Sequence, residues 1–90
     1  MLKISFTNQY LKDLELMKRH NFPKSELDVV VKLLSEEKPL PTKYKDYALK
    51  GNFADYRECH IRPNWLLMYK IDKKILTLIL VRTGTHSDLF

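Results

Sequence analysis

The apolar positions of the first twenty residues change from a period of two to a helical period. Leu2, Ile4 and Phe6 alternate with polar residues, which predicts a short strand. Either Thr7 or Asn8 can then cap a helix with its side-chain oxygen. The apolar residues that follow at helical spacing are Tyr10, Leu11, Leu14 and Met17. The chain therefore begins with a strand followed directly by an amphipathic helix.

A second helix is predicted after a short turn at residues 21–23. Pro23 favours the start of a helix, since the missing amide proton is not needed in its first turn. The apolar stripe of this helix consists of Leu27, Val30, Val31 and Leu34. Because the connecting turn is short, we expect the two helices to form a hairpin.

The second half of the chain has the pattern of three strands. Residues 38–54 are predicted to be irregular, because Pro39 and Pro41 interrupt the helix and Gly51 favours a turn. Pro63–Asn64 and Asp72–Lys74 are predicted as tight turns between strands. The predicted strands are Tyr56–Ile61, Trp65–Ile71 and Ile75–Arg82.

These elements predict one α+β domain over residues 1–90, with the two-layer arrangement of a strand, a helical hairpin and a three-strand antiparallel meander. Residues 65–69 are all apolar, as in a central strand. In the strand before it, Cys59 and Ile61 share the face that would pack on the helices. Glu58 and His60 share the opposite, open face.

Composition narrows the class of partner. Lys and Arg number 16 against 11 Asp and Glu, so the net charge of +5 favours RNA, DNA or an acidic protein segment. One cysteine, without a disulfide framework, indicates a reducing cytoplasm. The N-terminus lacks the apolar run of a signal peptide, and no apolar stretch is long enough to cross a membrane, so we expect no membrane association.

Two histidines could meet on the open face. The tail that follows the last strand, Arg82–Phe90, contains His86 and can approach His60 across the meander. Cleavage of RNA by its own 2′-hydroxyl needs a base, an acid and cations, and histidine can serve as either acid or base near neutral pH. The alternative is that both histidines are ordinary surface residues of a small basic domain.

A metal site is a weaker alternative. Cys59 and His60 point to opposite faces, and His86 does not complete four zinc ligands, so we expect no metal and no cofactor. His20 ends the first helix, where a cation interacts favourably with the helix dipole. We interpret Cys59 as a small core residue.

Three segments carry a resemblance to a known family: Tyr44–Gly51, Tyr56–Lys70 and Arg82–Phe90. Their order, spacing and position resemble the YafQ branch of the RelE superfamily of bacterial toxins. The resemblance implies a ribosome-dependent endoribonuclease that cuts messenger RNA in the decoding site. It also implies a DinJ-like antitoxin as partner, and binding to operator DNA only through the antitoxin complex.

The resemblance implies roles for individual residues. His60, His86 and Trp65 match the family pattern, whereas Tyr47 stands where the family usually has histidine and Asn64 where it usually has aspartate. The catalytic set implied is His60, His86, Tyr47 and Asn64. The RNA-binding set implied is Lys45, Lys50, Trp65, Arg82 and Phe90.

The two departures leave alternative functions open. A tyrosine with a pKa of about 10 is a poor base at neutral pH, although the Tyr47 hydroxyl can hydrogen-bond a phosphate and its ring can stack on a base. Asn64 carries no charge that could act on a neighbouring histidine. One alternative is a protein of the same fold that binds antitoxin or ribosome without efficient cleavage. Another is a DNA-binding regulator, for which only the net charge argues.

Overall fold

A five-stranded sheet with two long helices forms the structure, a computed structural model that describes residues 1–89. The elements are β1 (Lys3–Phe6), α1 (Asn8–Arg19), α2 (Lys24–Ser35), β2 (Tyr47–Ala48), β3 (Arg57–Arg62), β4 (Trp65–Asp72), β5 (Thr77–Gly84) and α3 (His86–Leu89). The strand order is β1-β5-β4-β3-β2, with β1 parallel to β5 and the other pairs antiparallel. The predicted α+β class, helical hairpin and meander are confirmed. No helix within residues 1–89 is long and apolar enough to cross a membrane.

Thr7 caps α1, as one of the two predicted alternatives. Its Oγ1 accepts a hydrogen bond from the amide of Tyr10 at 3.0 Å, and its hydroxyl donates to the carbonyl oxygen of Val81 at 2.7 Å. The same residue therefore satisfies a free amide at the helix start and joins that start to β5. His20 lies at the C-cap of α1, where it was predicted.

The core lies between the helices and one face of the sheet. Helix α1 packs on β5 and α2 packs on β3. Trp65, in β4, is 1% exposed and stacks on Phe22 with ring centroids 5.0 Å apart. Its indole nitrogen donates to the hydroxyl of Thr83 at 2.9 Å, so the polar atom of the largest core side chain is satisfied.

Two regions differ from the prediction. Residues 38–54 are not wholly irregular, because they contain β2 and two short 3₁₀ turns. The last strand begins at Thr77 rather than Ile75, since Leu76 has a φ of 51° in the turn, and it continues to Gly84. Both differences matter for function, because β2 and the end of β5 carry residues of the candidate site.

The parity of β3 is as predicted. Cys59 and Ile61 are buried in the core, and His60 is half-buried on the opposite face of the sheet. Leu66 and Met68, which pair with His60 and Glu58 across β4, are also buried. This face is therefore only partly open to solvent, and its buried side chains are apolar or acidic.

Candidate active site

Three aromatic rings from three elements meet on the face of the sheet opposite the long helices. The ring centroids of His60, in β3, and His86, in α3, are 5.8 Å apart. The ring of Tyr47, in β2, lies 6.2 Å from that of His60 on centroids. The structure thus brings together three of the four residues predicted to be catalytic. The fourth, Asn64, is exposed in the turn between β3 and β4.

Strand β2 determines the position of Tyr47. Tyr47 pairs with Glu58 in antiparallel register, and opposite residues of such a pair extend from the same face. The hydroxyl of Tyr47 donates a hydrogen bond to Oε1 of Glu58 at 2.5 Å. That hydrogen bond, with some desolvation, raises the pKa of Tyr47 to about 12. Tyr47 is therefore a neutral donor near pH 7.

Glu58 is a site residue that the sequence reasoning did not select. Its side chain is 1% exposed, and its second oxygen, Oε2, has no hydrogen-bond partner within residues 1–89. A buried carboxyl oxygen without a partner is costly in a structural role, which points to a functional one. The available signal was its position two residues before His60 on the same strand, and therefore on the same face.

The imidazole of His60 has one nitrogen directed inward. Its Nδ1 atom is buried and has no hydrogen-bond partner in the described part of the chain. His60 lies on a rigid strand next to the buried Leu66 and is bordered by both other rings. The geometry therefore fixes the ring, and because Nδ1 is buried, a proton exchanged with a substrate would pass through the other ring nitrogen, Nε2.

A cap at the start of α3 holds His86. The amide of Thr85 donates to Oδ2 of Asp88 at 3.0 Å, and the amide of Asp88 donates to Oγ1 of Thr85 at 3.3 Å. These hydrogen bonds with Thr85 hold the pKa of Asp88 below its usual value. Gly84, just before the cap, has so little room that an added Cβ would lie 3.1 Å from that of Asp88.

An ion pair behind the site fixes the loop before β2. Asp46 accepts from Arg57 at 2.8 Å and from the hydroxyl of Tyr69 at 2.5 Å. Burial, followed by the hydrogen bond to Asp46, raises the pKa of Tyr69 well above its usual value. The neighbouring Lys45 is exposed and has a left-handed backbone, with φ of 47°. Asp46 therefore anchors a strained turn that carries Lys45 on one side and Tyr47 on the other.

Four of the five predicted RNA-binding residues divide into three groups. Lys45 and Lys50 are exposed, as a phosphate contact requires. Arg82 is partly exposed and is held by Asp13, with both its Nε and its Nη2 3.0 Å from carboxyl oxygens. Phe90 lies outside the described residues.

Trp65 requires a correction. Its side chain is 1% exposed and is occupied by Phe22 and Thr83, so no ring face is available to stack on an RNA base. The sequence-based expectation of RNA binding is therefore not supported for this residue. Its place in the structure is that of the central core side chain beneath the β3–β4 turn.

Cys59 was considered in the sequence both as a core residue and as a metal ligand. Cys59 is completely buried on the core side, and burial raises the pKa of its thiol to about 12. It faces away from both histidines, in agreement with its interpretation as a core residue. Within residues 1–89, no three His, Cys, Asp or Glu side chains are arranged to hold a metal ion.

Together, the fold and the cluster of rings define the class of protein. The chain is similar over its full length to a toxin of Helicobacter pylori solved in a metal-bound form, with 47% identity, 100% coverage of both chains and a TM-score of 0.95. It is similar to the structure of the DinJ–YafQ complex of Escherichia coli, with 34% identity, coverage of 100% and 99%, and a TM-score of 0.90. The fold is that of a bacterial toxin.

The family follows from the sequence comparisons. The chain is 39% identical over 88 residues to the mRNA interferase toxin YafQ of E. coli K12, which covers 97% of this chain and 94% of the relative. Residues 2–90 match the family described as bacterial toxin of type II toxin-antitoxin system, YafQ. The chain belongs to the YafQ toxin family, and the resemblance seen in the sequence is confirmed.

Proposed function

We propose that this chain is the toxin of a type II toxin–antitoxin system and cleaves messenger RNA on the ribosome. The observation that carries the proposal is the cluster of His60, His86 and Tyr47 above the buried Glu58. A relative also supports the proposal, because the similar YafQ protein of E. coli is named an mRNA interferase toxin. The charge of +5 suits an RNA substrate.

The cleavage step balances with side chains alone. The 2′-oxygen of the RNA attacks the adjacent phosphorus, and the bond from phosphorus to the 5′-oxygen breaks. A base takes the proton of the 2′-hydroxyl, and an acid gives one to the departing 5′-oxygen. The products are a 2′,3′-cyclic phosphate and a free 5′-hydroxyl. The two imidazoles, with ring centroids 5.8 Å apart, are suited to these two transfers in either order when both face the same phosphate.

Tyr47 and Glu58 have supporting parts in the proposal. Because the single proton of the Tyr47 hydroxyl is donated to Glu58, the hydroxyl could donate to a phosphate oxygen only by leaving Glu58, and its raised pKa means that it does not act as the base for the 2′-hydroxyl. Glu58 orients that hydroxyl from below. Lys45 and Lys50, with Arg82, supply cations that would stabilise charge on the phosphate. Asn64 remains a proposed catalytic residue and Phe90 a proposed RNA-binding residue, as the family resemblance implies.

The ribosome would orient the message for this site. The two imidazoles and a tyrosine position little of a flexible RNA by themselves, and orientation can supply several kcal/mol of a barrier. The decisive experiment is single-turnover cleavage on programmed ribosomes, compared with naked RNA of the same sequence. We expect rapid codon-aligned cuts on the ribosome only. Equal cutting of naked RNA at the same positions would contradict ribosome dependence.

The second candidate is a toxin that blocks the ribosome without efficient cleavage. The observation that favours it is the neutral Tyr47, locked onto Glu58 in place of the imidazole usual in the family. Inducible expression in a bacterium separates the two functions. Growth arrest with a primer-extension map of cleaved messages supports the nuclease, whereas arrest with intact messages supports blockade.

We further propose a DinJ-like antitoxin as the partner that neutralises this chain. The E. coli relative is known as a complex of DinJ with YafQ, and the net charge here favours an acidic, partly disordered segment that folds on binding. Operator DNA would be bound only through that complex. A complex in which Lys45, His60 and His86 remained fully accessible would rule out occlusion as the means of inhibition.

The reaction is proposed to be independent of metal and to take place in the cytoplasm, where ribosomes translate. The nucleophile belongs to the RNA itself, and the proton transfers need only the side chains described. The H. pylori relative is described as metal-bound, so a metal could bind such a toxin without being required. Cleavage that a chelator abolishes, at magnesium concentrations that keep ribosomes intact, would contradict independence.

A further inference from the structure

A pocket of about 520 Å³ opens beside the active site, between α2, the segment that precedes β2 and the end of β3. Its walls include Glu26, Val29, Tyr44, Lys45, His60 and Arg62. We propose that this pocket binds the base of one of the two nucleotides that flank the scissile phosphate. The inference rests on the proposed nuclease function and names the substrate subsite of the same site.

The position of the pocket relative to the histidines supports a nucleotide as occupant. His60 forms part of its wall, whereas His86 and Tyr47 do not. A phosphate that contacts both His60 and His86 would therefore have the pocket on its His60 side. Since each phosphate of an RNA strand carries a nucleotide on either side, we place one of these two nucleotides in the pocket.

The lining has both surfaces that a nucleotide requires. Val29, which is 52% exposed, and Ile61 provide apolar contact, and the half-buried ring of Tyr44, which also packs on the core, forms the aromatic part of the wall. The Nζ atom of Lys43 lies 5.1 Å from the centroid of that ring, and Lys45 is exposed at the rim. Unpaired bases bind by stacking on aromatic rings, with cations nearby for the phosphates.

One polar pair gives the pocket a chemical preference. Glu26, in α2, and Arg62, at the end of β3, form an ion pair across the wall, with the Nε atom of Arg62 3.0 Å from Oε2 of Glu26. Both side chains are 42% exposed, so each retains hydrogen-bonding capacity toward a ligand. A carboxylate accepts from an exocyclic amino group, and a guanidinium donates to base oxygens and nitrogens. The volume falls in the range of about 300–1,000 Å³ usual for small-molecule pockets.

Nucleotide binding can be measured without the ribosome. Ribonucleoside 3′-monophosphates are titrated into ¹⁵N-labelled protein, with inorganic phosphate as the reference ligand. We expect the nucleotides, but not phosphate, to shift the amides of Val29, Tyr44 and Ile61. Identical shifts from the nucleotides and from phosphate would overturn the proposal, because the base would then make no contact.

Two substitutions at Val29 test whether nucleotide binding in the pocket causes these amide shifts. Val29→Trp fills the pocket and Val29→Glu places a negative charge in it. Ile75→Trp is the matched control, because Ile75 is 60% exposed in the β4–β5 turn, at the far end of the sheet. Both Val29 variants should lose the nucleotide-dependent shifts, and Ile75→Trp should keep them.

The same variants link the pocket to cleavage. In single-turnover reactions on programmed ribosomes, Val29→Trp should cleave about tenfold to a hundredfold more slowly, the factor that loss of one stacked base gives. Ile75→Trp should cleave at the original rate. Val29→Trp with full activity but weakened antitoxin binding would overturn the proposal in favour of a protein-binding pocket. If neither the original chain nor Ile75→Trp cleaves on the ribosome, the proposed nuclease function fails, and the nucleotide titration still decides the pocket.

Discussion

The hydroxyl of Tyr47 is joined to Oε1 of Glu58 by a hydrogen bond of 2.5 Å, while the other oxygen of that buried carboxyl group has no partner within residues 1–89. Tyr47 is therefore the only group of the described chain seen to satisfy this side chain. The contact also determines what Tyr47 can do, because a donor to Glu58 with a raised pKa is not a base. The pair links the stability of the site to its chemistry.

Tyr47→Phe should lower the free energy of unfolding by about 1–3 kcal/mol, because it leaves the buried Glu58 without its donor. Urea denaturation measures the change. The same substitution in a Glu58→Gln background is the control, since a neutral amide loses less when its partner is removed. Equal costs in the two backgrounds would show that the hydrogen bond is energetically unimportant.

Tyr47 should ionise at a higher pH than an ordinary tyrosine. Its pKa is raised from about 10 to about 12 in the folded chain, so the contact with Glu58 stabilises the fold below pH 10 and is lost as the pH rises through 12. Absorbance at alkaline pH follows tyrosine ionisation. Relative to Tyr47→Phe, the original chain should gain one tyrosinate near pH 12, and a gain near pH 10 would contradict the assignment.

Replacing Tyr47 with histidine should raise the cleavage rate. Histidine can exchange protons near neutral pH, and it restores the group usual in the family above Glu58. Single-turnover cleavage measures the gain, with Tyr47→Phe as the matched variant that keeps a ring but no hydroxyl. Tyr47→Phe should cost little if Tyr47 only stacks, and more if its hydroxyl binds the phosphate. A slower Tyr47→His variant would show that the site is built for tyrosine.

His60→Ala and His86→Ala should each reduce the cleavage step by about 10²–10⁴-fold if both act in proton transfer. The ring centroids lie 5.8 Å apart, and both imidazoles would act on the same phosphate. The double variant should therefore lose less than the product of the two factors. Single-turnover rates on programmed ribosomes decide this. Full activity in both single variants would eliminate the acid–base assignment, even for a chain that proves to be a nuclease.

Asp46→Ala should slow cleavage by about tenfold to a hundredfold, because the turn that carries Lys45 and Tyr47 loses its anchor. Hydrogen exchange of the amides of residues 45–48 should rise at the same time. Tyr69→Phe is the control, since it removes one donor to Asp46 and leaves the ion pair with Arg57. If Asp46→Ala cleaves as fast as the original chain although its amide hydrogens exchange faster, this loop does not position the site.

The sequence determined the parts of this structure that depend on periodicity. The alternation of β1, the stripes of α1 and α2, and the parity that turns Cys59 inward and His60 outward all follow from local spacing. The two-residue strand β2 was missed, because a strand that short has no period and exists only through its pairing with β3. Missing β2 also meant missing the partner of Glu58.

Trp65 shows a different limit of sequence reasoning. An aromatic residue next to a turn can stack on a base or fill a core, and its neighbours in the chain do not distinguish the two. Burial decides, and burial depends on Phe22 and Thr83, which are 43 and 18 positions away in the numbering and meet it only in the fold. The Asp46–Arg57–Tyr69 anchor was hidden for the same reason.

Gly84→Ala should move His86 without removing any functional side chain. An added Cβ would lie 3.1 Å from the Cβ and 3.2 Å from Oδ2 of Asp88, and that same oxygen accepts the amide of Thr85 that caps α3. Asp88 must therefore shift, and the turn of helix that carries His86 shifts with it, away from the 5.8 Å spacing to His60.

We expect Gly84→Ala to change the imidazole resonances of His86 and to slow cleavage by up to about a hundredfold, the cost of a displacement near 1 Å. The loss of unfolding free energy should be modest, since α3 has four residues, none of which is buried. Asp88→Gly is the matched control, because it removes the cap and also the atoms that an alanine at position 84 would meet. If the clash is the cause, adding Gly84→Ala to Asp88→Gly should cost little more. An unperturbed His86 and full cleavage in Gly84→Ala would show that glycine is not required there.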